Sequence, residues 1–503
     1  MKFFGSKRHE HAGEGQHLER KPSPDTDGRI TFRACFMGLV ASMGGMIFGY
    51  SSGQVSGYFM MKDYGERFGV PNGDGTYNFS AARQGTITGL LSIGCLFGSL
   101  VAGNLCDSIG RRKTISISAL WTGLGVGALS VAVPMYQSES APAIIRGLIV
   151  SCYQLFVTLG IWCAEMVNWG TNHYDGSASW RIPNGLNFLW ALLLGVGILL
   201  LPESPRFAYR KGKVEEARKT IAGLAGLDIN SPSVNRQIDD IREKLEEEQA
   251  LPETRLVEIF TGPRMAYRTI LGITLQAGQQ LTGINFFFYF GTTVFASTGL
   301  KDSYVTQLIL GSVNCACTFG GLYVVQKCGR RKSLMIGAAW MMMCFFVYAF
   351  VGHFALDRKD PLSTPAAGAV LVTFSCLAIA AFATTWGPLV WAVVAEMYPS
   401  QYRSRCMAIA TATNWLFNFL IGFFTRFITD AIDYFYGLVY AGCCAALVAI
   451  VFFFVIESKD RTLEEIDTMY VQHVNPITSS KWVGEPHGPK HAREGVTDEE
   501  ASS

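Results

Sequence analysis

Three carboxamides stand close together in Gln279-Gln280-Leu281-Thr282-Gly283-Ile284-Asn285, and Phe286, Phe287, Phe288, Tyr289 and Phe290 follow at once. The stretch lies inside an apolar run long enough to cross a bilayer, where a polar group without a partner is costly. These amides are therefore expected to face a cavity rather than lipid. At helical spacing Gln279, Gly283 and Phe286 share one face, and Gln280 and Asn285 lie on neighbouring ones. A carboxamide offers donors and an acceptor without net charge, which suits a neutral polyhydroxylated solute. The same groups could equally glue helices together, as polar residues in membranes do, and the bare residues do not choose.

The elements that would position these amides are read from composition and hydropathy. Of 503 residues, 49% are hydrophobic and 16% charged, the balance of an all-α polytopic membrane protein rather than a soluble enzyme. A net charge of +2 gives no ground for a nucleic-acid partner. The thirteen cysteines sit in or beside apolar segments, so no disulfide framework is implied. Neither a cofactor nor a metal is expected, and the middle stretch carries no phosphate loop or metal-ligand cluster that would make it catalytic.

Eleven apolar segments of spanning length are predicted, at about 33–59, 84–105, 114–134, 146–168, 181–201, 266–296, 303–325, 333–354, 366–395, 406–428 and 435–456. They divide the chain into a disordered N-terminal tail 1–30, a helical bundle 31–201, a linker with short helices 202–265, a second bundle 266–457 and a polar tail 458–503. Positive charge collects at Arg111-Arg112-Lys113, throughout 206–264, at Lys327 to Lys332, at Arg403 and Arg405, and at Lys459 and Arg461. Such clusters mark the cytoplasmic side, and both tails are expected there when the helix complement is full. Asn78-Phe79-Ser80 is a candidate glycosylation sequon on the opposite side.

Internal repeats set the architecture. GRRK occurs at 110–113 and at 329–332; Glu-x-x-Pro-x-x-x-Arg occurs as Glu139, Pro142, Arg146 and as Glu396, Pro399, Arg403; a Glu-Ser pair followed by arginine occurs as Glu203, Ser204, Arg206 and as Glu457, Ser458, Arg461. Three repeats in one order indicate two related halves around a midplane site, a transporter design. Asp107, Arg111, Arg112, Arg330 and Arg331 complete a set of charges at these helix ends. They are expected to pair with the four glutamates when the halves close on that face and to part when the halves rock apart.

Together these motifs resemble the sugar porter family of the major facilitator superfamily, close to fungal hexose transporters. The resemblance runs from about Gly44 to Glu465 and rests on GGMIFGY at 44–50, Asp107-x-x-GRRK, PMYQSESAP at 134–142, PESPR at 202–206, QQLTGIN at 279–285, GRRK at 329–332, WGPLVW at 386–391, AEMYPSQYRSR at 395–405 and RTLEE at 461–465. It implies an alternating-access carrier of two pseudo-symmetric bundles, twelve helices in all, at the plasma membrane and monomeric. The implied sugar site comprises Gln154, Gln279, Gln280, Asn285, Asn314, Trp391, Asn414 and Trp415. An indole can cover the apolar face of a sugar while its N–H bonds a hydroxyl.

Two departures from the family pattern matter. Proton-coupled members carry an aspartate after the first-helix motif, and Ser51 stands here, so facilitated diffusion of a hexose such as glucose is expected, with sugar-proton symport as the alternative. Glu165 is the replacement acid within the membrane, and its place near Asn168 and Trp169 suggests a wetted interface. Gln326 likewise stands where the second GRRK would have its leading aspartate. The larger departure is one of length: Gly329 to Glu396 spans 67 positions and Gly110 to Glu139 only 29, a shortfall of 38. By the resemblance the third helix is missing. A single crossing by 114–134 would put Arg111 and Arg146 on opposite sides, against the charge rule. The segment then re-enters without spanning, or the later part inverts, or the sequence is an incomplete gene model or splice form, the outcome the sequence favours. A defective isoform, or a non-transporting sensor, would follow from a lost crossing, although the polar C-terminal tail is short for a sensor.

Overall fold

The computed structural model describes residues 30–482 apart from 72–76, 122, 143–144, 251–257, 297–301, 358–362, 460 and 462. Except for Ile30, the expected N-terminal tail lies outside the described residues, as does the stretch beyond Trp482. Uninterrupted apolar runs fold as helices because in lipid each segment must satisfy its own backbone. Among the described residues the one sheet pairs Val70–Pro71 with Tyr77–Asn78.

The first half contains α1 (Phe32–Gly53), α2 (Ala81–Ile109), α3 (Arg111–Ala119), α4 (Leu124–Ser140), α5 (Arg146–Thr171) and α6 (Ala178–Leu199). The linker forms α7 (Pro205–Arg210), α8 (Val214–Ala225) and α9 (Pro232–Ala250). The second half contains α10 (Met265–Leu281), α11 (Ile284–Ala296), α12 (Ser303–Lys327), α13 (Arg330–Phe354), α14 (Pro365–Thr384), α15 (Trp386–Met397), α16 (Ser400–Ile432) and α17 (Tyr436–Phe454), and α18 (Leu463–Val471) follows in the tail. Eight helical stretches among the described residues are long and apolar enough to span a bilayer.

Each half has its own buried core. Trp415 of α16 packs in the core of the first half, and Val157 and Ile161 of α5 pack in that of the second. Within the first half α1 and α5 touch backbone to backbone: a methyl placed on Gly49 would stand 1.9 Å from Val157 O, so glycine is required there.

Two predicted crossings are broken. The segment predicted at 266–296 stops at Thr282 and restarts at Ile284, because Gly283 adopts φ +82°, a conformation glycine takes at no steric cost. A side chain at Gly283 would collide with the Tyr440 ring, 2.4 Å from its Cβ. The segment predicted at 366–395 breaks at Thr385, three residues before Pro388, which lacks an N–H and cannot bond the Thr384 carbonyl.

The shortened region resolves as a hairpin. Residues 111–119 run inward as α3, the chain reverses after Trp121, and α4 returns beside it to Glu139. Nine residues of helix reach about 14 Å, less than half of a hydrocarbon core of about 30 Å. Backbone groups on both sides of the turn find partners. Leu120 N bonds Ile117 O at 3.2 Å, Trp121 N bonds Ser118 O at 3.2 Å, and Gly123 O accepts from Gly127 N at 3.2 Å and from Cys95 Sγ at 3.2 Å. Gly125 lets the legs meet, since a methyl on it would stand 1.9 Å from Ser118 O. Of the two outcomes that concern the path of this chain, the fold takes re-entry without spanning rather than inversion, and Arg111 and Arg146 reach the same end of the bundle. The expected single span at 114–134 is therefore corrected to a re-entrant pair.

Candidate functional site

The break after α10 leaves Gln276, Gln279 and Gln280 on its last turns and Asn285 on the first turn of α11, facing α16. Gln280 Nε2 donates to Asn414 Oδ1 at 2.9 Å, and Asn285 Nδ2 donates to Gln280 Oε1. Asn418 Nδ2 donates to the same Oε1 at 3.2 Å, and Asn418 Oδ1 accepts from Tyr289 OH at 2.8 Å and from Ser92 Oγ at 2.6 Å. Ser92 belongs to α2, so this amide chain crosses from one half to the other. Asn285 is half-buried and the other amides are buried.

The geometry divides the amides into two kinds. Gln279 is consumed by structure: its Nε2 donates to Trp386 O at 2.9 Å and Gly387 O at 3.0 Å, just past the α14 break, and its Oε1 accepts from Asn414 Nδ2 at 2.8 Å. Asn414 Nδ2 also reaches Gln276 Oε1 at 2.8 Å. These residues pin α10, α15 and α16 to one another. Gln280, Asn285 and Asn418 retain unused donors and acceptors that a hydroxylated solute could take. Trp415 lies beside them on α16, its ring 5.0 Å from that of Phe48 and its buried Nε1 without a hydrogen-bond partner.

Not every expected residue joins this set. Gln154 on α5 and Trp391 on α15 are half-buried, Asn314 on α12 is buried, and all three stay outside the hydrogen-bonded cluster. Conversely, Gln276, Tyr289, Asn418 and Ser92 were not singled out in the sequence. The signal was present: Gln276 lies four residues before Gln280, Tyr289 four after Asn285, and Asn418 four after Asn414, the spacing of one helix face. A separate cavity of about 320 Å³, lined in part by Phe286, Phe290, Tyr348 and Arg426, includes none of the amides.

The charged residues form two matching sets, each within its own half. In the first, Arg111 Nη2 bonds Glu139 at 3.0 Å, while Glu203 accepts from Arg111 N at 3.1 Å and Arg112 N at 3.2 Å. Ser204 Oγ donates to Glu139. In the second, Arg330 Nη2 bonds Glu396 at 3.2 Å, Glu457 accepts from Arg330 N at 2.7 Å and Arg331 N at 3.2 Å, and Ser458 Oγ donates to Glu396 at 2.6 Å. Even the flanking arginines match: Arg146 Nε donates to Ala141 O and Arg403 Nε to Tyr398 O, both at 3.2 Å. In this arrangement the glutamates pair within their own bundle, and the expected pairing across the halves belongs to the state closed on that face. Arg461 holds the tail instead, donating to Ser479 O at 3.1 Å and Trp482 O at 2.9 Å. Asp107 bonds Arg210 of α7 at 3.0 Å and Arg111 at 3.4 Å, and Arg206 lies on α7.

Among the described residues, hydrogen bonds join the halves from mid-bundle to the end opposite these arginines: besides Ser92 to Asn418, Trp162 Nε1 donates to Ser312 Oγ at 2.9 Å, Thr292 Oγ1 to Ser56 O at 2.6 Å and Tyr304 OH to Gly57 O at 2.8 Å. Ser51 is neutral and paired with Asn187, whose Nδ2 donates to its Oγ at 3.1 Å. Glu165 is not at a wetted interface as expected; 3% of its surface is exposed and it accepts from Gln307 Nε2 of α12 at 3.0 Å.

Two pseudo-symmetric helical bundles with broken helices and an amide-lined centre define a membrane carrier of the major facilitator type. Comparison with known proteins makes this specific. The sugar (and other) transporter family matches residues 37–122 and 120–470, two pieces that meet at the tip of the re-entrant hairpin. The chain is 43% identical over 469 residues to a high-affinity fructose transporter of Schizosaccharomyces pombe, covering 87% of each protein. It is 41% identical over 470 residues to a high-affinity glucose transporter of the same yeast, with 88% of each covered, and 39% identical over 502 residues to a low-affinity glucose transporter of Saccharomyces cerevisiae, with 94% of this chain and 88% of the relative covered. Its fold is similar to that of the proton:xylose symporter XylE bound to 6-bromo-6-deoxy-D-glucose, with a TM-score of 0.72 at 24% identity over 88% of this chain and all of the other. The chain belongs to the sugar transporter family of the major facilitator superfamily. It is a multi-pass membrane protein and not an enzyme.

Proposed function

We propose that this protein carries a hexose across the plasma membrane by alternating-access facilitated diffusion, with the tails and linker in the cytoplasm. The observation that carries the reading is the cluster of Gln280, Asn285, Asn414 and Asn418, held between α10, α11 and α16 and linked to Ser92 of the other half. A pyranose entering there would exchange amide-to-amide bonds for amide-to-hydroxyl bonds, with Trp415 covering an apolar sugar face. In this role Gln280, Asn285 and Asn418 are sugar contacts and Gln279 and Asn414 hold them in register. Gln154, Asn314 and Trp391 would complete the site from α5, α12 and α15.

The two charge sets support a carrier by making each half rigid at its cytoplasmic end, so that the halves move as bodies. Bonds that join the halves from mid-bundle to the other end support a reading in which this is the state open to the cytoplasm. Asn78 is exposed near that outer end and available to a glycan. Relatives named as fructose and glucose transporters favour a hexose, and none of those described favours a sensor. Uniport follows from Ser51, which offers an alcohol bonded to Asn187 where a symporter needs a titrating acid. The test is counterflow of labelled glucose and fructose in vesicles holding the full chain. Exchange is expected to persist after the pH gradient is collapsed; accumulation of sugar driven by that gradient would replace uniport with symport, and no exchange of any hexose would remove the reading.

A further inference from the structure

Glu165 has no part in the carrier as described so far. It sits where α5 of one half meets α12 of the other, at the outer end of the bundle. Gln307 Nε2 divides its donor capacity between Glu165 Oε1 at 3.0 Å and Phe287 O at 3.2 Å. Glu165 Oε2 is buried with no hydrogen-bond partner, and Gln307 Oε1 is equally orphaned. Gly311 fills the space behind: a methyl placed on it would stand 1.7 Å from Oε2.

A carboxylate closed in this way has one amide N–H and no cation to offset its charge. Of the charges on the helices packed there, Asp302 caps α12 and bonds Tyr304 N and Val305 N, while Arg33, Arg146 and Lys327 stand at the far helix ends, and none of them acts on Glu165. Gln307 and Gly311 come from α12, and Phe287 and Gly291 of α11 meet Gln307 from behind, so the Gln307 amide is the one polar group acting on the carboxyl. Burying an isolated carboxylate is prohibitive, so the group must neutralise as it is enclosed. A metal ion would need several oxygens and space around Oε2, and Gly311 leaves none. A proton needs no space.

We propose that Glu165 is a proton-binding site in the seam between the halves, loaded from the outer solution as α5 and α12 close and emptied to the same solution when they part. The O–H bond forms at the expense of hydronium or a buffer acid and breaks to water, with nothing oxidised or reduced. This rests on the alternating-access reading. Because the seam opens to one side only, the proton returns to the side it came from. Protons therefore set the ease of closure without driving sugar uphill, which separates a proton-gated carrier from a proton-coupled one.

The test uses the full chain in vesicles. Infrared difference spectra between acidic and alkaline samples are expected to show a buried protonated carboxyl in the wild type that is missing in the near-isosteric Glu165→Gln variant. That readout needs no sugar movement, so its failure is distinct from failure of the carrier reading, and identical spectra from the two proteins would overturn the site. In exchange assays with pH varied on one face at a time, the wild-type rate should change several-fold with outer pH alone, and Glu165→Gln should be flat. Equal profiles for the two proteins, or a rate that follows sodium rather than pH, would overturn the gate.

Discussion

The two halves solve one problem with different lengths of chain. Between Gly329 and Glu396 the second half has 67 positions, enough for α13 and α14 to cross the membrane and return. Between Gly110 and Glu139 the first half has 29, and the chain goes in as α3 and back as α4 without crossing. The ends are nevertheless built alike, with arginine on glutamate, two backbone N–H groups on a second glutamate, and serine on the first. The lesson is that the charge sets fix where the helix ends must be, and the intervening chain takes whatever path its length allows. An arginine shut away from water needs its carboxylate more than it needs a full helix behind it. The halves also differ at Asp107: it ties α2 to the linker through Arg210, a contact for which the second half, with Gln326, supplies no carboxylate at the matching position.

This comparison can be broken at several places. The largest effect is expected from Glu139→Ala, which leaves Arg111, 3% exposed, with the longer contact to Asp107 in place of its nearest carboxylate, at a cost of about 3 kcal/mol. Glu396→Ala should cost less, because Arg330 is 15% exposed and partly hydrated. Thermal unfolding of the two variants in detergent checks the order, and equal losses would deny that burial distinguishes the halves. Next comes Gly125→Val, which forces the legs of the hairpin apart and should destabilise by about 1–3 kcal/mol. The same hairpin can be sharpened topologically: cysteines placed at Lys113 and at Ser138 should react with an impermeant thiol reagent from the same side of the membrane. Reaction from opposite faces would restore the single crossing.

Within the proposed sugar site, Gln280→Ala removes spare hydrogen-bond capacity as well as the bonds to Asn285, Asn414 and Asn418, so sugar binding should weaken by about 1–3 kcal/mol beyond any loss of stability. Gln279→Ala should do the reverse, leaving Trp386 O, Gly387 O and Asn414 Nδ2 short of partners and lowering stability before affinity. Parallel measurements of sugar affinity and unfolding temperature separate the two roles. The smallest effect is expected from Trp415→Phe, which keeps the contact with Phe48 but removes a partnerless N–H. Stability should hold and affinity should fall by about 0.5–1.5 kcal/mol.

Much of this molecule follows from local chemistry and was legible in order along the chain. Apolar length marked the helices, repeated GRRK and glutamate motifs marked the two halves, and carboxamides within lipid-spanning stretches marked the proposed site, because each of those signals is a property of neighbouring residues. The deficit of 38 positions was legible too, but not its outcome: whether 114–134 crosses depends on Gly125 meeting Ser118 O and on Arg111 reaching Glu139, and those are distances. Tertiary structure also decided which amides are free. Gln279 and Gln280 are adjacent and chemically identical, yet one faces the start of α15 and the other faces α11 and α16. Glu165 shows the same limit. Its type could be read from the chain, whereas its enclosure by Gln307 and Gly311 arises only when residues some 140 positions apart are brought within hydrogen-bonding distance.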